Sequence, residues 1–266
     1  MSAAADVTER VRRLASHLED TDLEPHPAVN AAFSELVGLA LHHRGAVAEQ
    51  VIAALGPDLD RVRRLCALGE SALERHWSAR VAAAADSWAE LTCFPYARNY
   101  EGMVDLELAV VRGFGVAVRR VAVVGSGPLP MTGVVLAGRH DLDVVLVDRD
   151  PDALRAGDGV VRALGLHRRA SSVLADVGRD PLDLRSVDLV VFGALVGSDG
   201  VEKRAMLADI GAAATSGSHV LIRSAAALRE LLYPPVSLDG VAGLTSLLEV
   251  HPHDDIVNSI LLARRN

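Results

Sequence analysis

The residues whose types and order could do chemistry begin in the middle of the chain. The apolar run VAVVG (Val121–Gly125) leads into Gly125-Ser126-Gly127-Pro128-Leu129-Pro130, and then into the helical stretch MTGVVLAGR. Glycines at such a place allow a tight turn and let a ligand approach the backbone closely. A second apolar run, DVVLVD, ends at Asp148. That is about 20 residues further on, where an acid holds the hydroxyls of a bound ribose. A third run, SSVLAD, ends in Ala175-Asp176-Val177, a position from which an acid can accept the amino group of adenine. A structural turn and two unrelated surface acids would account for each feature singly. Two acids at successive strand ends after a glycine loop argue together for a nucleoside site.

The loop chemistry narrows the nucleoside. A dinucleotide site wants a third glycine and free backbone N–H groups to cradle a pyrophosphate. Pro128 and Pro130 have no N–H to give. S-adenosylmethionine carries no phosphate and loses nothing by their presence, so it is the co-substrate the loop fits. Its contacts are assigned to Gly125, Ser126, Gly127, Pro128, Thr132, Asp148, Asp176 and Val177. Phe192, Ala194 and Leu195 close a fourth apolar run, where they either line the sulfonium end or belong to the core.

Two textures of sequence must position these residues, and they meet near Arg119. Residues 1–118 read as an all-helical domain that caps the site. Val7, Val11, Leu14 and Leu18 recur at helical spacing over 6–20, and Pro27 starts a second helix. After the break at Gly56-Pro57, one long amphipathic segment runs from about Asp58 to about Thr92, followed by FPYARNYEGMVDLELAVV. Residues 119–266 alternate five short apolar runs (121–125, 143–148, 171–176, 187–195 and 218–224) with helical stretches. That alternation predicts βαβ units and an α/β, Rossmann-like doubly wound sheet. The tail runs LTSLLEVHP and NSILLARR are predicted to pair antiparallel at its edge.

Composition restricts the partners. The chain of 266 residues carries a net charge of −8, which argues against nucleic acid or an anionic membrane surface as the partner. Half of it is hydrophobic with few aromatics, so Ala, Val and Leu must build the core. The first 20 residues carry acids and have no apolar stretch of the secretory kind, and the longest apolar runs are strand-length. A cytoplasmic protein acting on a small molecule is expected. Cys66 and Cys93 lack CxxC spacing and read as free buried thiols. His251, His253, Asp254 and Asp255 read as a polar turn rather than a metal site, and His42-His43 as a helix end. The oligomeric state is left open, with a homodimer as one arrangement.

GSGPLPMTG resembles the glycine loop of the nicotianamine synthase family. So, in the same order as in the family, do HPAVNAAFSELV, FPYARNY, DRDP, ALVGSDGVEK, IRSAAALRELLYP and VHPHDDIVNS. The resemblance implies an amine attacking the γ-carbon of the methionine part of S-adenosylmethionine, with methylthioadenosine as by-product and no metal required. It marks Glu74, in ALERHW, as the catalytic glutamate and Tyr100 as a tyrosine at the reacting centre. Glu70, one helical turn before Glu74, is a second carboxylate facing the same way. Tyr96, Arg223 and Tyr233 are implied as substrate-binding, and Arg229 either shares that role or pairs on a helix surface. The chain's size resembles that of bacterial relatives that build staphylopine- and pseudopaline-type metallophores, which favours histidine as the amino-acid acceptor. The alternatives are condensation of several S-adenosylmethionine molecules, as in nicotianamine synthesis, and conventional methyl transfer. A non-catalytic sensor would lack Glu74 and Tyr100, and a nicotinamide oxidoreductase is disfavoured by the loop prolines.

Overall fold

The apolar runs of the second half form β1 (Arg120–Val124), β2 (Asp143–Asp148), β3 (Ala170–Leu174), β4 (Leu189–Phe192) and β5 (His219–Ser224), in a computed structural model that describes residues 2–197 and 199–266. Met1, and Ser198 within ALVGSDGVEK, lie outside the described residues. These five strands are parallel to one another. The tail supplies β6 (Leu244–Val250) and β7 (Ser259–Arg265), which pair antiparallel with each other. It is β7 that sits against β5, giving the order β3-β2-β1-β4-β5-β7-β6. Val121 to Val124 and all of β4 are buried, which is why those runs are continuously apolar instead of alternating. β3, at the sheet edge, leaves Val173 and Leu174 exposed, and its run is the weakest in the sequence.

Three crossover helices link the parallel strands: α7 (Met131–Arg139), α8 (Pro151–Ala163) and α9 (Gly200–Ala213), in the chain-order numbering that follows. Asp150 starts α8 by accepting from the Asp152 amide, with Pro151 in the first turn. The first half forms α1 (Ala3–Glu19), α2 (Pro27–His42), α3 (Gly45–Leu55), α4 (Asp58–Ala83), α5 (Ser87–Thr92) and α6 (Ala97–Gly113). The long segment expected to reach Thr92 as one piece is therefore two helices. Ala84 turns extended, and the Asp86 side chain accepts from the Ala89 amide at 3.0 Å, which caps a new helix where the old one ends.

These helices are not one layer. α1, α2 and α3 share an apolar cluster with the 3-10 turn Ala227–Leu231 and Val257. α6 lays Val104, Leu108 and Val111 against Val121, Val123 and Val144 of the sheet. The C-terminal part of α4, with α5, packs Trp77, Val81 and Leu91 on Leu129 and Met131, beside Val160 of α8. α4 is thereby held across the carboxyl ends of the strands, where open α/β sheets bind ligands. Among the described residues no helix is long and apolar enough to cross a membrane.

One ion pair fastens the helical half to the sheet. Arg223 of β5 donates to both carboxylate oxygens of Glu107 of α6, at 2.8 and 3.1 Å, and both residues are buried. Removing one member of such a pair strands a buried charge. Glu107→Ala should therefore lower the unfolding free energy, measured by urea titration, by about 3–5 kcal/mol. A change within the scatter of a surface mutation would show that the guanidinium finds another partner.

Candidate functional site

The strand-to-helix loop after β1 is held in shape by its own backbone. Gly125 and Gly127 adopt φ of 75° and 70°, a region that favours glycine. The Gly125 and Ser126 amides both donate to the Val147 carbonyl, and the Gly127 amide donates to Asp148 Oδ2 at 2.9 Å. The other oxygen of Asp148 accepts from the Asp150 amide at 3.0 Å. Asp148 thus ties the loop to the start of α8, while each of its oxygens retains a lone pair for a ligand. Pro130 lies at φ −77°, ψ 60°, and the Met131 amide donates to the Leu129 carbonyl at 2.7 Å. That inverse γ-turn ends the loop without needing an N–H from either proline.

Glycine also lets neighbouring side chains close on the loop. A Cβ at position 125 would lie 2.2 Å from Val196 Cγ2, and one at position 127 would lie 2.5 Å from Glu74 Oε2. The second contact joins the two halves of the chain. Glu74 reaches from α4 to the floor of the glycine loop, and Tyr100 of α6 donates to its Oε1 at 3.3 Å. One turn earlier on α4, Glu70 accepts from the Tyr233 hydroxyl at 2.9 Å. Two carboxylate–phenol pairs, built from α4, α6 and the segment after the 3-10 turn, therefore face one space.

That space is a cavity of about 530 Å³. Gly125, Ser126, Gly127, Pro128, Thr132, Asp148, Asp176, Val177, Ala194 and Leu195 line it from the sheet side. Glu70, Glu74, Tyr96, Tyr100, Arg223 and Tyr233 line it from the other. Of the residues weighed for the site in the sequence, these reach the cavity and two do not. Phe192 does not, being wholly buried in the core beneath the sheet end. Arg229 does not either. It is buried and donates to the Asp254 carbonyl at 2.8 Å. His253 contacts Arg44, and His251 meets the Ser259 hydroxyl at 3.0 Å. Among the described residues no group of His, Cys, Asp and Glu is arranged to hold a metal. Cys66 is buried at the cavity wall, where desolvation and the charge of Glu70 push its thiol up to about 12. Cys93 is exposed, against the expectation that both thiols are buried.

The electrostatics follow from desolvation. Burial drives the Glu74 carboxyl well above the usual carboxylate range; the charge on Glu70 and, more weakly, Asp148 add to this, and hydrogen bonds from Tyr100 and the Leu129 backbone oppose it. Burial also raises Glu70, against the Tyr233 hydrogen bond and the charge of Arg223. Tyr100 and Tyr233 are pushed well up by burial and by these carboxylates, so both phenols stay protonated as donors. Arg223 does not neutralise the pair outright, because Glu107 already engages it; its guanidinium carbon lies 5.9 Å from the centre of the Tyr100 ring. A desolvated carboxylate with a raised proton affinity suits general-base work on an ammonium.

Sequence reasoning weighed Glu70 without settling its role, and the spacing of four on one helix was the signal for it. It missed Lys203, which is fully buried beneath the cavity wall and carries no local signature. It also missed Phe33, whose ring lies where a Cβ at Gly69 would sit, only 2.1 Å from Phe33 Cζ. Phe33 lines the cavity beside Glu70.

Glu70→Gln removes the second-largest cause of the Glu74 shift. A base works above its pKa, so a raised pKa places the rise of activity at higher pH. The substitution should move the acid limb of the kcat/KM profile to lower pH while turnover persists on the plateau. An unmoved limb would show that Glu70 does not set the ionisation of Glu74.

Comparison with known proteins gives a consistent picture. The family model described as "Nicotianamine synthase protein" matches residues 2–266. Nicotianamine synthase 2 of Oryza sativa subsp. japonica is 35% identical over 259 residues, covering 91% of this chain and 77% of its own. Nicotianamine synthase 9 of Hordeum vulgare is 35% identical over 254 residues, covering 91% and 74%. Among solved structures, MtNAS in complex with MTA and tNA superposes with a TM-score of 0.85 at 23% identity, covering 97% of both chains. A variant of MtNAS in complex with S-adenosylmethionine gives 0.84 at 23% identity and the same coverage. An O-methyltransferase family protein from Burkholderia thailandensis gives 0.50 at 18% identity, covering 70% of this chain and 62% of that one. The last three show the shared fold.

Proposed function

The chain belongs to the nicotianamine synthase family, and from that premise we propose that it transfers the 3-amino-3-carboxypropyl group of S-adenosylmethionine to the amine of an amino acid. The observation that carries the reading is the Glu74 carboxylate, desolvated, hydrogen-bonded to Tyr100 and seated against Gly127 of the nucleoside loop. An ammonium acceptor must lose a proton before it can attack, and Glu74 is the base beside the loop that can take it.

S-adenosylmethionine lies with its adenosine toward Asp148 and Asp176 at the ends of β2 and β3 and its sulfonium under Glu74. The acceptor amine enters from the α2 and α4 side as an ammonium. Ionised Glu74 takes one proton, freeing the nitrogen lone pair. That lone pair attacks the γ-carbon, the C–N bond forms as the C–S bond breaks, and the sulfur keeps the electron pair. Methylthioadenosine leaves. The tight space around Gly127 holds the amine close and in line, which lowers the barrier through orientation. Tyr100 steers Glu74, and Tyr96, Arg223 and Tyr233 position the acceptor. Residues 1–118 supply Glu74, Tyr96 and Tyr100, so the helical half decides which sulfonium carbon reacts. Histidine is the acceptor favoured, and a second S-adenosylmethionine is the alternative.

The test is the by-product. Purified protein is incubated with S-adenosylmethionine and a pool of amino acids, and the mixture is read by mass spectrometry. Methylthioadenosine together with an aminobutyrate-bearing amino acid is expected. S-adenosylhomocysteine would overturn the chemistry. Glu74→Gln should keep S-adenosylmethionine binding in calorimetry and lose roughly a hundredfold or more in turnover. Full turnover in that variant would remove Glu74 as the base.

A further inference from the structure

Lys203 sits in the first turn of α9, at the end of the segment ALVGSDGVEK. It is fully buried, and its ammonium donates to the carbonyls of Ala194 and Val196, at 2.6 Å each. The Phe192 ring lies 5.8 Å from its nitrogen. A cation in the first turn of a helix opposes the helix dipole, and burying it costs more. Burial lowers its pKa from the ordinary lysine value to about 8. A methionine would fill the space at less cost, so the ammonium is there for what it holds.

It holds the turn that follows β4. Ala194, Leu195, Val196 and Gly197 line the cavity, and Leu195 is 41% exposed at its wall. Val196 occupies the notch over Gly125, and Gly197 leaves room for the lysine stem, since a Cβ there would lie 2.9 Å from Lys203 Cγ. In the sheet, β4 flanks β1 on the side opposite β2 and β3. Asp148 and Asp176 stand at the ends of β2 and β3, so the turn faces the other half of the ligand. With both carbonyls drawn down to Lys203, the wall presents side chains of Ala194, Leu195 and Val196 rather than backbone oxygens.

We propose that Lys203 is a positioning residue: by pinning the Ala194 and Val196 carbonyls it fixes the wall against which the aminocarboxypropyl half of S-adenosylmethionine lies. The inference rests on the reading of the cavity as an S-adenosylmethionine site and adds to it a residue that touches no ligand atom.

The experiment compares the unaltered protein with Lys203→Met by calorimetry, using S-adenosylmethionine and methylthioadenosine separately. Methylthioadenosine lacks the aminocarboxypropyl group and reports on the nucleoside contacts alone. The variant should bind S-adenosylmethionine roughly tenfold more weakly, the scale of one hydrogen bond to a charged group, and bind methylthioadenosine as the unaltered protein does. Its KM for S-adenosylmethionine should rise in step, with kcat less affected. Equal weakening of both ligands, or of neither, would overturn the inference while leaving the cofactor reading intact. No binding of S-adenosylmethionine by the unaltered protein would overturn both. If Lys203→Met does not fold, Lys203→Gln, whose shorter neutral side chain cannot hold both carbonyls, carries the same expectation and the same overturning results.

Discussion

The molecule depends on one close approach: the Glu74 carboxylate lies where only a glycine at position 127 leaves room. The approach brings α4 over the end of β1, where the packing of Trp77 and Val81 on Leu129 and Met131 holds it. It also explains why the loop amides are satisfied internally. Gly125 and Ser126 donate to Val147 and Gly127 donates to Asp148, so the loop keeps its shape with a carboxylate pressed onto it. A loop that relied on a bound phosphate for its amides would not tolerate an acid there.

From that contact follows the electrostatic character of the site. Glu70 and Glu74 are one turn apart, both desolvated, and each is held by a phenol that stays protonated. Two carboxylates this close resist ionising together, so the cavity disfavours anions and is completed by a cation. A sulfonium and an ammonium both answer that need. The same shift acts on stability. Glu74 has a raised folded-state pKa, so it favours the folded state at low pH, and that contribution is lost as pH rises through the raised value.

Much of this was legible in the sequence, for identifiable reasons. Strands buried on both faces must be continuously apolar, and so β1, β2, β4 and β5 announced themselves. Glycines with Asp148 after them follow from the geometry of a strand-to-helix turn. What was not legible depends on contacts between distant residues. Arg223 meets Glu107 across 116 positions, and Tyr233 meets Glu70 across 163. No local pattern encodes either pairing. The break between α4 and α5 was missed because Ala84 and Ala85 suit a helix, and only the capping by Asp86 ends it. Glu74 and Tyr100 were picked out through the family resemblance, since a glutamate on an amphipathic helix is locally unremarkable.

The division of labour in the chain bears on how one fold comes to serve unlike reactions. The sheet, the glycine loop and the acids at the ends of β2 and β3 are what any nucleoside-binding member of this architecture needs, and they constrain adenosine without choosing a reaction. The choice lies in what is laid over the strand ends. Here that is α4, held down through Trp77 and Val81 on Leu129 and Met131, with α6 anchored by the Arg223–Glu107 pair behind it. Both anchors adjoin the cavity, since Leu129, Met131 and Arg223 line it, and they set where the two carboxylate–phenol pairs stand. A change in either would move the Glu74 carboxylate relative to the glycine loop while leaving the loop's own hydrogen bonds in place. The placing of these carboxylates is thus a property of helix packing, and the residues that encode it are core residues as much as cavity residues.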